Sequence, residues 1–420
     1  MNKAESDRLA AALEGLGLAP VPSPRDADVI VLNSCVVRQS AESKVLGMLG
    51  MVKSLKGRDQ GPTIALTGCM VSPKDGSLRR RFPHVDVFTG PGDHDAIIAS
   101  VAGRVARRRP GGTVRPLPLR PPVATYVPIT QGCDLMCAYC VIPYRRGRQV
   151  SRPVEELVEE VELLVRRGAK EVTLLGQTVD LYGRDLPGKP DLAALLHAVS
   201  AVSGLERIRF LTSHPRFMTW RIIRAIAELE KVCEHIDLPV QAGSDEVLRH
   251  MRRGYTSAEY RGLVQEIRAA IPGVALSTDV MVGFPGETVE QFEETRRLLE
   301  ELRFDKVHVA AYSPRPETLC QRTMPDDVPG EEKRRRLHII EELQEQIATE
   351  INRGLLGQAP EVLVEERHRE MWRGRTRSDK LVFFKEDSRE LQGHLVRVRI
   401  ERSSPWSLKG ALHEGAMVCQ

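Results

Sequence analysis

The chain has 420 residues, 41% hydrophobic and 28% charged, and its 61 Lys and Arg against 57 Asp and Glu leave a formal charge of only +4. That length suggests two or three domains with properly buried cores, and eight cysteines without a paired pattern suit a reducing cytosol better than a disulfide scaffold. No apolar run approaches the ~18 residues of a membrane span, and Glu5 and Asp7 stand where a signal peptide would be apolar, so a soluble, cytoplasmic chain without a membrane partner is expected.

Leu9, Ala12, Leu13 and Leu16 recur at helical spacing, then Val29-Ile30-Val31-Leu32-Asn33 and Ile64-Ala65-Leu66-Thr67-Gly68 read as short buried strands. Alternating helix and apolar strand predicts a parallel α/β sheet over residues 1–103. Cys35 and Cys69 each fall just past the C-terminal end of one of these strands, the edge where open α/β sheets place ligands. Plain buried cysteines are the alternative. Residues 104–122, with Gly111-Gly112 and five prolines, read as a Pro/Arg-rich linker. From Arg104 to Arg152 ten arginines stand against the single Asp134, a local excess of nine positive charges that would attract a polyanion. A solvated linker is the bland reading of the same charge.

Between 123 and 353, strand-like segments Tyr126 to Ile129, Glu171 to Leu175, Arg207 to Leu211, Ile236 to Val240, Ala275 to Val282 and Val307 to Ala311 alternate with helical patterns. One helix places Leu157, Val158, Val161, Leu164 and Val165 on a face and stops at Gly168; another starts at Thr288, with Gln291 in the capping-box position. Six β/α units predict a partial or open (β/α)6 barrel. A long helix opens at Glu331 with Leu337, Ile340, Leu343, Ile347 and Ile351 on one face, and its charges read as a solvated face. From 354 to 420, Val362-Leu363-Val364, Lys380-Leu381-Val382-Phe383-Phe384 and Leu395-Val396-Arg397-Val398-Arg399-Ile400 read as strands of a small OB-like β-barrel. Arg373, Arg375, Arg377 and Lys380 are its candidate phosphate contacts, or simply surface charges, since this region holds twelve basic and ten acidic residues from 360 onward.

The most informative stretch is Gly132-Cys133-Asp134-Leu135-Met136-Cys137-Ala138-Tyr139-Cys140, where three cysteines fall within eight residues. Three thiolates so close converge on a metal, and on one short loop they can hold three corners of a cubane iron–sulfur cluster, leaving the fourth iron open for a ligand. Zinc is the alternative; it prefers four closed ligands, and no second Cys or His pair follows here. Cys233, Cys320 and Cys419 read as isolated cysteines without metal roles, and His214, at a strand end, as structurally satisfied.

This loop resembles the radical S-adenosylmethionine superfamily. Val141-Ile142-Pro143-Tyr144-Arg145-Arg146-Gly147-Arg148 and Ser151-Arg152-Pro153 behind it narrow the resemblance to the methylthiotransferases, as do Leu174-Leu175-Gly176-Gln177, Thr212-Ser213-His214-Pro215, Leu238-Pro239-Val240-Gln241-Ala242-Gly243-Ser244, Gly283-Phe284-Pro285-Gly286-Glu287-Thr288 and Tyr312-Ser313-Pro314-Arg315-Pro316. The chain resembles the MiaB type most, which add a methylthio group to N6-isopentenyladenosine beside the tRNA anticodon. The resemblance implies an N-terminal methylthiotransferase domain, a radical SAM domain and a C-terminal TRAM domain. It further implies two 4Fe-4S clusters and S-adenosylmethionine, with Cys133, Cys137 and Cys140 holding the radical-generating cluster. Tyr139, Gly176 and Gln177 fall at family positions that contact the cofactor; Gly283, Pro285 and Gly286 are candidates for a close backbone approach to it, with an ordinary turn after a strand as the alternative. Arg145, Arg146 and Arg148, with Arg373, Arg375 and Lys380, are the expected RNA contacts. Cys35 and Cys69 match two ligands of an auxiliary cluster; the third family cysteine precedes the Met-Asn that matches Met1-Asn2, so Met1 is expected to be an internal methionine of a longer chain. Expected partners are tRNA, an electron donor such as a flavodoxin or ferredoxin, and a sulfur source, with the protein a monomer. The related enzymes acting on threonylcarbamoyladenosine or on a ribosomal-protein aspartate, and an RNA-binding iron–sulfur protein without sulfur transfer, remain the alternatives.

Overall fold

The computed structural model describes residues 1–36, 39–56, 61–71, 76–105 and 117–417. Cys419 and linker residues 106–116, with Arg107, Arg108, Arg109 and Arg115, lie outside them. The chain forms two compact units: Met1–Arg120 with Gln131–Leu135 and Cys140–Gln149, and Pro121–Thr130 with Met136–Tyr139 and Val150–Gln420.

The first unit is built on three parallel strands, β1 (Val29–Ser34), β2 (Thr63–Gly68) and β3 (Val87–Thr89), in that order. All six residues of central β2 are buried, as a continuous apolar run requires when helices cover both faces. On one face Leu9 of the helix Asn2–Gly15 meets Ala65 and Ile97; on the other Val45, Leu49 and Val52 of the helix Gln39–Val52 pack on Ile64 and Leu66. Strand β3 was not predicted, because three residues are too few to show a period. The register pairs Ser34 with Gly68, so the two strands end level and Cys35 and Cys69 follow side by side.

In the second unit β4 (Ala124–Pro128), β5 (Glu171–Leu175) and β6 (Arg207–Phe210) form one parallel sheet, and β7 (His235–Asp237), β8 (Ala275–Val282) and β9 (Lys306–Ala311) another. Ile208 N donates to Lys231 O at 2.7 Å and Ser213 N to Asp237 O at 3.1 Å, which joins the two into the six-stranded open barrel expected from the sequence. The predicted helix is found at Val154–Arg166, with Leu157, Val161 and Leu164 inward. Thr288 and Gln291 form the predicted reciprocal capping box of Val289–Leu302, and Thr256 with Glu259 caps Ser257–Ala270 the same way. These caps fix where the helices start, and hence the lengths of the βα loops at the strands' C-terminal ends.

The same unit carries a closed barrel of β10 (Glu361–His368), β11 (Met371–Thr376), β12 (Leu381–Lys385), β13 (Leu395–Ser403) and β14 (Leu408–Met417), ordered β10-β11-β12-β14-β13. Its core is Trp372, Val382, Phe384, Val396, Val398 and Ile400. Two strands were missed. Met-Trp-Arg-Gly-Arg-Thr of β11 reads as a basic loop because its outward positions are arginines, and β14 contains two glycines that weaken any strand signal. Arg207 and Arg209 of β6 are buried and reach the small barrel: Arg207 Nη1 donates to Arg375 O at 2.7 Å, and Arg209 Nη1 and Nη2 to Arg377 O and Thr376 O, both at 2.7 Å. Glu361 and Glu171 neutralise them at 2.9 and 3.0 Å. Two arginines in a barrel strand are thus a docking device, which explains why the small barrel belongs to the larger unit. Among the described residues no helix is long and apolar enough to cross a membrane.

Candidate cluster and cofactor site

Gly132 opens the cysteine loop at φ +78°, and a Cβ there would lie 2.0 Å from Arg148 O, so only glycine lets Cys133 N reach Gly147 O at 3.1 Å. Asp134 clamps the other side of this turn. Its carboxylate accepts from Arg148 Nε at 2.6 Å and Gln149 N at 3.2 Å, and the Arg148 hydrogen bond holds it below the usual carboxylate range. Leu135 N donates to Cys133 Sγ at 3.4 Å. In the second unit, Ala138 N donates to Met251 O at 3.0 Å and Ala138 O accepts from Cys320 N at 2.8 Å, which ties the loop beside Cys137 to two barrel loops. Arg253 Nη1 lies 3.5 Å from Cys137 Sγ. Tyr139 packs on an apolar cluster that includes Ala242, Leu248, Phe284 and Tyr312.

None of the three loop cysteines is in a disulfide among the described residues. Among the described residues no three His, Cys, Asp or Glu side chains form a preformed metal cage. The fit to an iron–sulfur cluster rests on the donor set: three cysteines in eight residues, two of whose sulfurs already face N–H donors, as cluster thiolates do.

The barrel mouth offers polar atoms that no protein group satisfies. Thr130 Oγ1 after β4 and Gln177 Oε1 after β5 are buried without a hydrogen-bond partner, and the buried Ser213 hydroxyl after β6 hydrogen-bonds the Asp180 carboxyl after β5. Native interiors rarely tolerate this, and two such atoms at the C-terminal ends of adjacent strands fit a polar ligand. Asp180 Oδ2 accepts from His214 N at 2.6 Å, and burial pushes the Asp180 carboxyl up to about 7. His214 is pushed down to about 3 by burial and by Arg253 and Arg216, and its Nδ1 accepts from Arg216 N at 3.3 Å, so it is the satisfied structural histidine anticipated.

In the first unit the paired strand ends present the two remaining thiols of interest. Gly68 adopts φ +97° with its Cα against Ser34 O, and Cys69 N donates to Ser34 O at 3.1 Å. Arg146 comes from the short helix Ile142–Arg146; it donates to Glu5 Oε1 at 2.6 Å and Asn2 Oδ1 at 3.0 Å and also hydrogen-bonds Cys69. Burial raises the Cys69 thiol, and the Arg146 charge opposes that rise.

Three family profiles cover this chain. Residues 127–299 match the Radical SAM superfamily, residues 1–90 the uncharacterized protein family UPF0004 and residues 354–412 the TRAM domain. A tRNA-2-methylthio-N(6)-dimethylallyladenosine synthase of Roseiflexus sp. (strain RS-1) is 51% identical over 420 residues, covering 98% of this chain and 87% of that protein. Its namesake in Dehalococcoides mccartyi (strain ATCC BAA-2266 / KCTC 15142 / 195) is 48% identical over 412 residues, 98% of this chain and 96% of that one. The chain belongs to this synthase family. Among solved structures, the cobalamin-dependent S-adenosylmethionine radical enzyme OxsB, with aqua-cobalamin and S-adenosylmethionine bound, shares the fold with a TM-score of 0.51 at 13% identity, over 81% of this chain and 53% of that one.

Against this family background the structure sorts the residues picked from sequence. Gln177 reaches the mouth, and Gly176 packs so tightly on Thr130 that a Cβ would lie 2.4 Å from its Oγ1. Gly283 is not an open approach for a cofactor: the Lys333 side chain covers its Cα, and Glu287 accepts from its N–H at 2.5 Å. Pro285 is buried beside it, and Gly286 N is bound to Asp327 at 2.7 Å, so this turn serves the fold. Arg146 is no RNA contact, because its side chain is 2% exposed and holds Glu5. Arg375 and Lys380 likewise spend their charge internally, on Glu365 and Asp379 at 3.3 and 3.1 Å and on Asp305 at 2.7 Å, and Arg373 sits 3.0 Å from Glu366. Arg377 is bound to Glu234 at 2.7 Å. Arg148 remains exposed beside Asp134, and Arg145 is half-buried. Cys233 and Cys320 are buried, with thiols pushed up to about 11 by burial. Sequence reasoning passed over Arg253, Asp180 and Glu5; each is a charge in an ordinary context, and only burial marks it.

Proposed function

We propose that this chain adds a methylthio group to C2 of N6-isopentenyladenosine at position 37 of tRNA, by radical S-adenosylmethionine chemistry. The observation that carries the reading is the loop of three cysteines, fixed by Gly132 and Asp134, in a chain about half identical to named tRNA-2-methylthio-N(6)-dimethylallyladenosine synthases along nearly its whole length. Cys133, Cys137 and Cys140 would hold a 4Fe-4S cluster. Bound together, the cluster and S-adenosylmethionine supply one-electron cleavage of the sulfonium and so a radical able to take hydrogen from carbon. Thr130, Gln177 and Asp180 accept or donate hydrogen bonds to the ligand at the mouth, and Tyr139, backed by the core around Phe284, gives it an apolar wall. Asp180, poised near neutrality, can hold or release a proton.

Cys35 and Cys69 would hold two corners of an auxiliary cluster, the group that would supply the sulfur, and Arg146 would offset its negative charge. Residues 1–103, 123–353 and 354–420 would then be the sulfur-carrying, radical-generating and RNA-holding parts. A flavodoxin- or ferredoxin-like protein supplies the electron. In the decisive assay the anaerobically reconstituted chain is given a reductant, S-adenosylmethionine and tRNA bearing isopentenyladenosine. A C35A/C69A variant should still cleave S-adenosylmethionine but make no methylthio product; product at the wild-type rate would sink the role of those thiols.

A further inference from the structure

Arg253 lies in Met251-Arg252-Arg253-Gly254-Tyr255, just past the helix Asp245–His250, and is only 6% exposed although its charge is permanent. Its donors fan out to three acceptors: Nη2 to Pro239 O at 3.0 Å, Nε to the Tyr255 hydroxyl at 3.0 Å and Nη1 to Cys137 Sγ at 3.5 Å. Tyr255 passes its own proton on to Val240 O at 2.8 Å, so the guanidinium is locked in place from behind. The chain around Arg253 also grips the cysteine loop, since Met251 O accepts from Ala138 N.

What this arrangement lacks is a counter-ion. The three arginines of the second unit's barrel strands and long helix that are less than a tenth exposed are each matched with a carboxylate: Arg207 with Glu361, Arg209 with Glu171 and Arg336 with Glu287. Among the described residues Arg253 is in no such pair; burial works against its charge, and the groups that sustain it are Tyr139, Tyr255 and Cys137. A buried, uncompensated cation is costly, and neutral carbonyls and a phenol repay only part of that cost. Of the groups that sustain it, only the Cys137 sulfur belongs to the proposed cluster ligands.

We infer that Arg253 is a positioning residue whose counter-ion is the anionic cluster held by Cys133, Cys137 and Cys140, and that it raises the reduction potential of that cluster. This rests on the reading of those cysteines as ligands. The redox step is the uptake of one electron from a one-electron reductant; no bond breaks and no proton moves, so a fixed positive charge and an N–H aimed at a ligand sulfur both favour the more negative product.

The test is an anaerobic potentiometric titration of reconstituted wild type, R253K and R253M with dithionite, followed by the spin-resonance signal of the reduced cluster, with iron counted in each sample. R253M removes both charge and donors. Its reduced-to-oxidised ratio at the wild-type midpoint should fall about tenfold, a shift of about 59 mV to more negative potential for one electron. R253K keeps the charge without the fork of donors and should lie between. R253M with full iron and a wild-type midpoint overturns the inference; if R253M does not fold, a wild-type midpoint in R253K overturns it instead. The ligand reading fails separately, if C137A keeps the wild-type iron count and signal.

Discussion

Replacing Gly132 by Ala tests whether the cysteine loop is held in one shape. The residue sits at φ +78°, a region that costs an L-residue about 1–2 kcal/mol. The added Cβ would lie 2.0 Å from Arg148 O and 2.7 Å from Gly147 O, against ordinary contact at 3.4 Å or more, so the backbone of 147–148 would have to retreat by well over an ångström. That retreat breaks the Cys133 N to Gly147 O hydrogen bond and leaves its buried donor unpaired, a further ~1–3 kcal/mol. The total, about 2–5 kcal/mol, falls on a segment that can rearrange without unfolding either core, so the loss should appear as cluster binding before it appears as melting. After anaerobic reconstitution G132A should carry about four fewer iron atoms per chain than wild type, the content of one cubane, with little change in melting temperature. Wild-type iron content in G132A would refute the claim that this turn presents the ligands.

The buried carboxyl at the mouth gives a pH signature. Asp180 titrates near 7 when folded against an ordinary 3.8, so the folded state keeps a proton that the unfolded chain releases; the stabilisation is complete below about pH 4 and is lost as pH rises to about 7. The change is about 4 kcal/mol at about 1.4 kcal/mol per unit, and D180N should flatten it relative to wild type in denaturant titrations across that range; parallel pH profiles would contradict the burial argument. His214, pushed down to about 3, works in the opposite sense below about pH 6.5, so the difference between the two proteins isolates Asp180. At the barrel junction, R209M strands the buried Glu171 carboxylate and frees Arg377 O and Thr376 O, and should cost about 3–5 kcal/mol by thermal or chemical unfolding. A loss below about 1 kcal/mol would reduce that contact to a surface ion pair.

The barrel strands were legible in the sequence because apolar runs such as Glu171 to Leu175 and Ala275 to Val282 are bounded by turns, and the Thr288–Gln291 cap could be read letter by letter. The ligand loop was legible for the same reason, since its chemistry lies within eight adjacent residues. The errors share one cause. Arg146, Arg375, Arg377 and Lys380 looked like a basic surface because a sequence shows the charges but not the distant carboxylates, Glu5, Glu365, Glu234 and Asp305, that meet them in the fold. Arg207 and Arg209 hid in the opposite way, inside a strand where charge is not expected. Asp180 and Arg253 escaped notice because their importance comes from burial, and burial at loop ends carries no periodic signal.

The account stands or falls on the modified nucleoside. In cells from which this gene is deleted, tRNA hydrolysates analysed by mass spectrometry should contain N6-isopentenyladenosine without its 2-methylthio form; the wild-type gene should restore that form, and a C133A/C137A/C140A gene should not. Methylthio isopentenyladenosine undiminished in the deletion strain, or restored by the triple variant, would contradict the central claim, and loss of a methylthio group from threonylcarbamoyladenosine instead would move the substrate to the related branch.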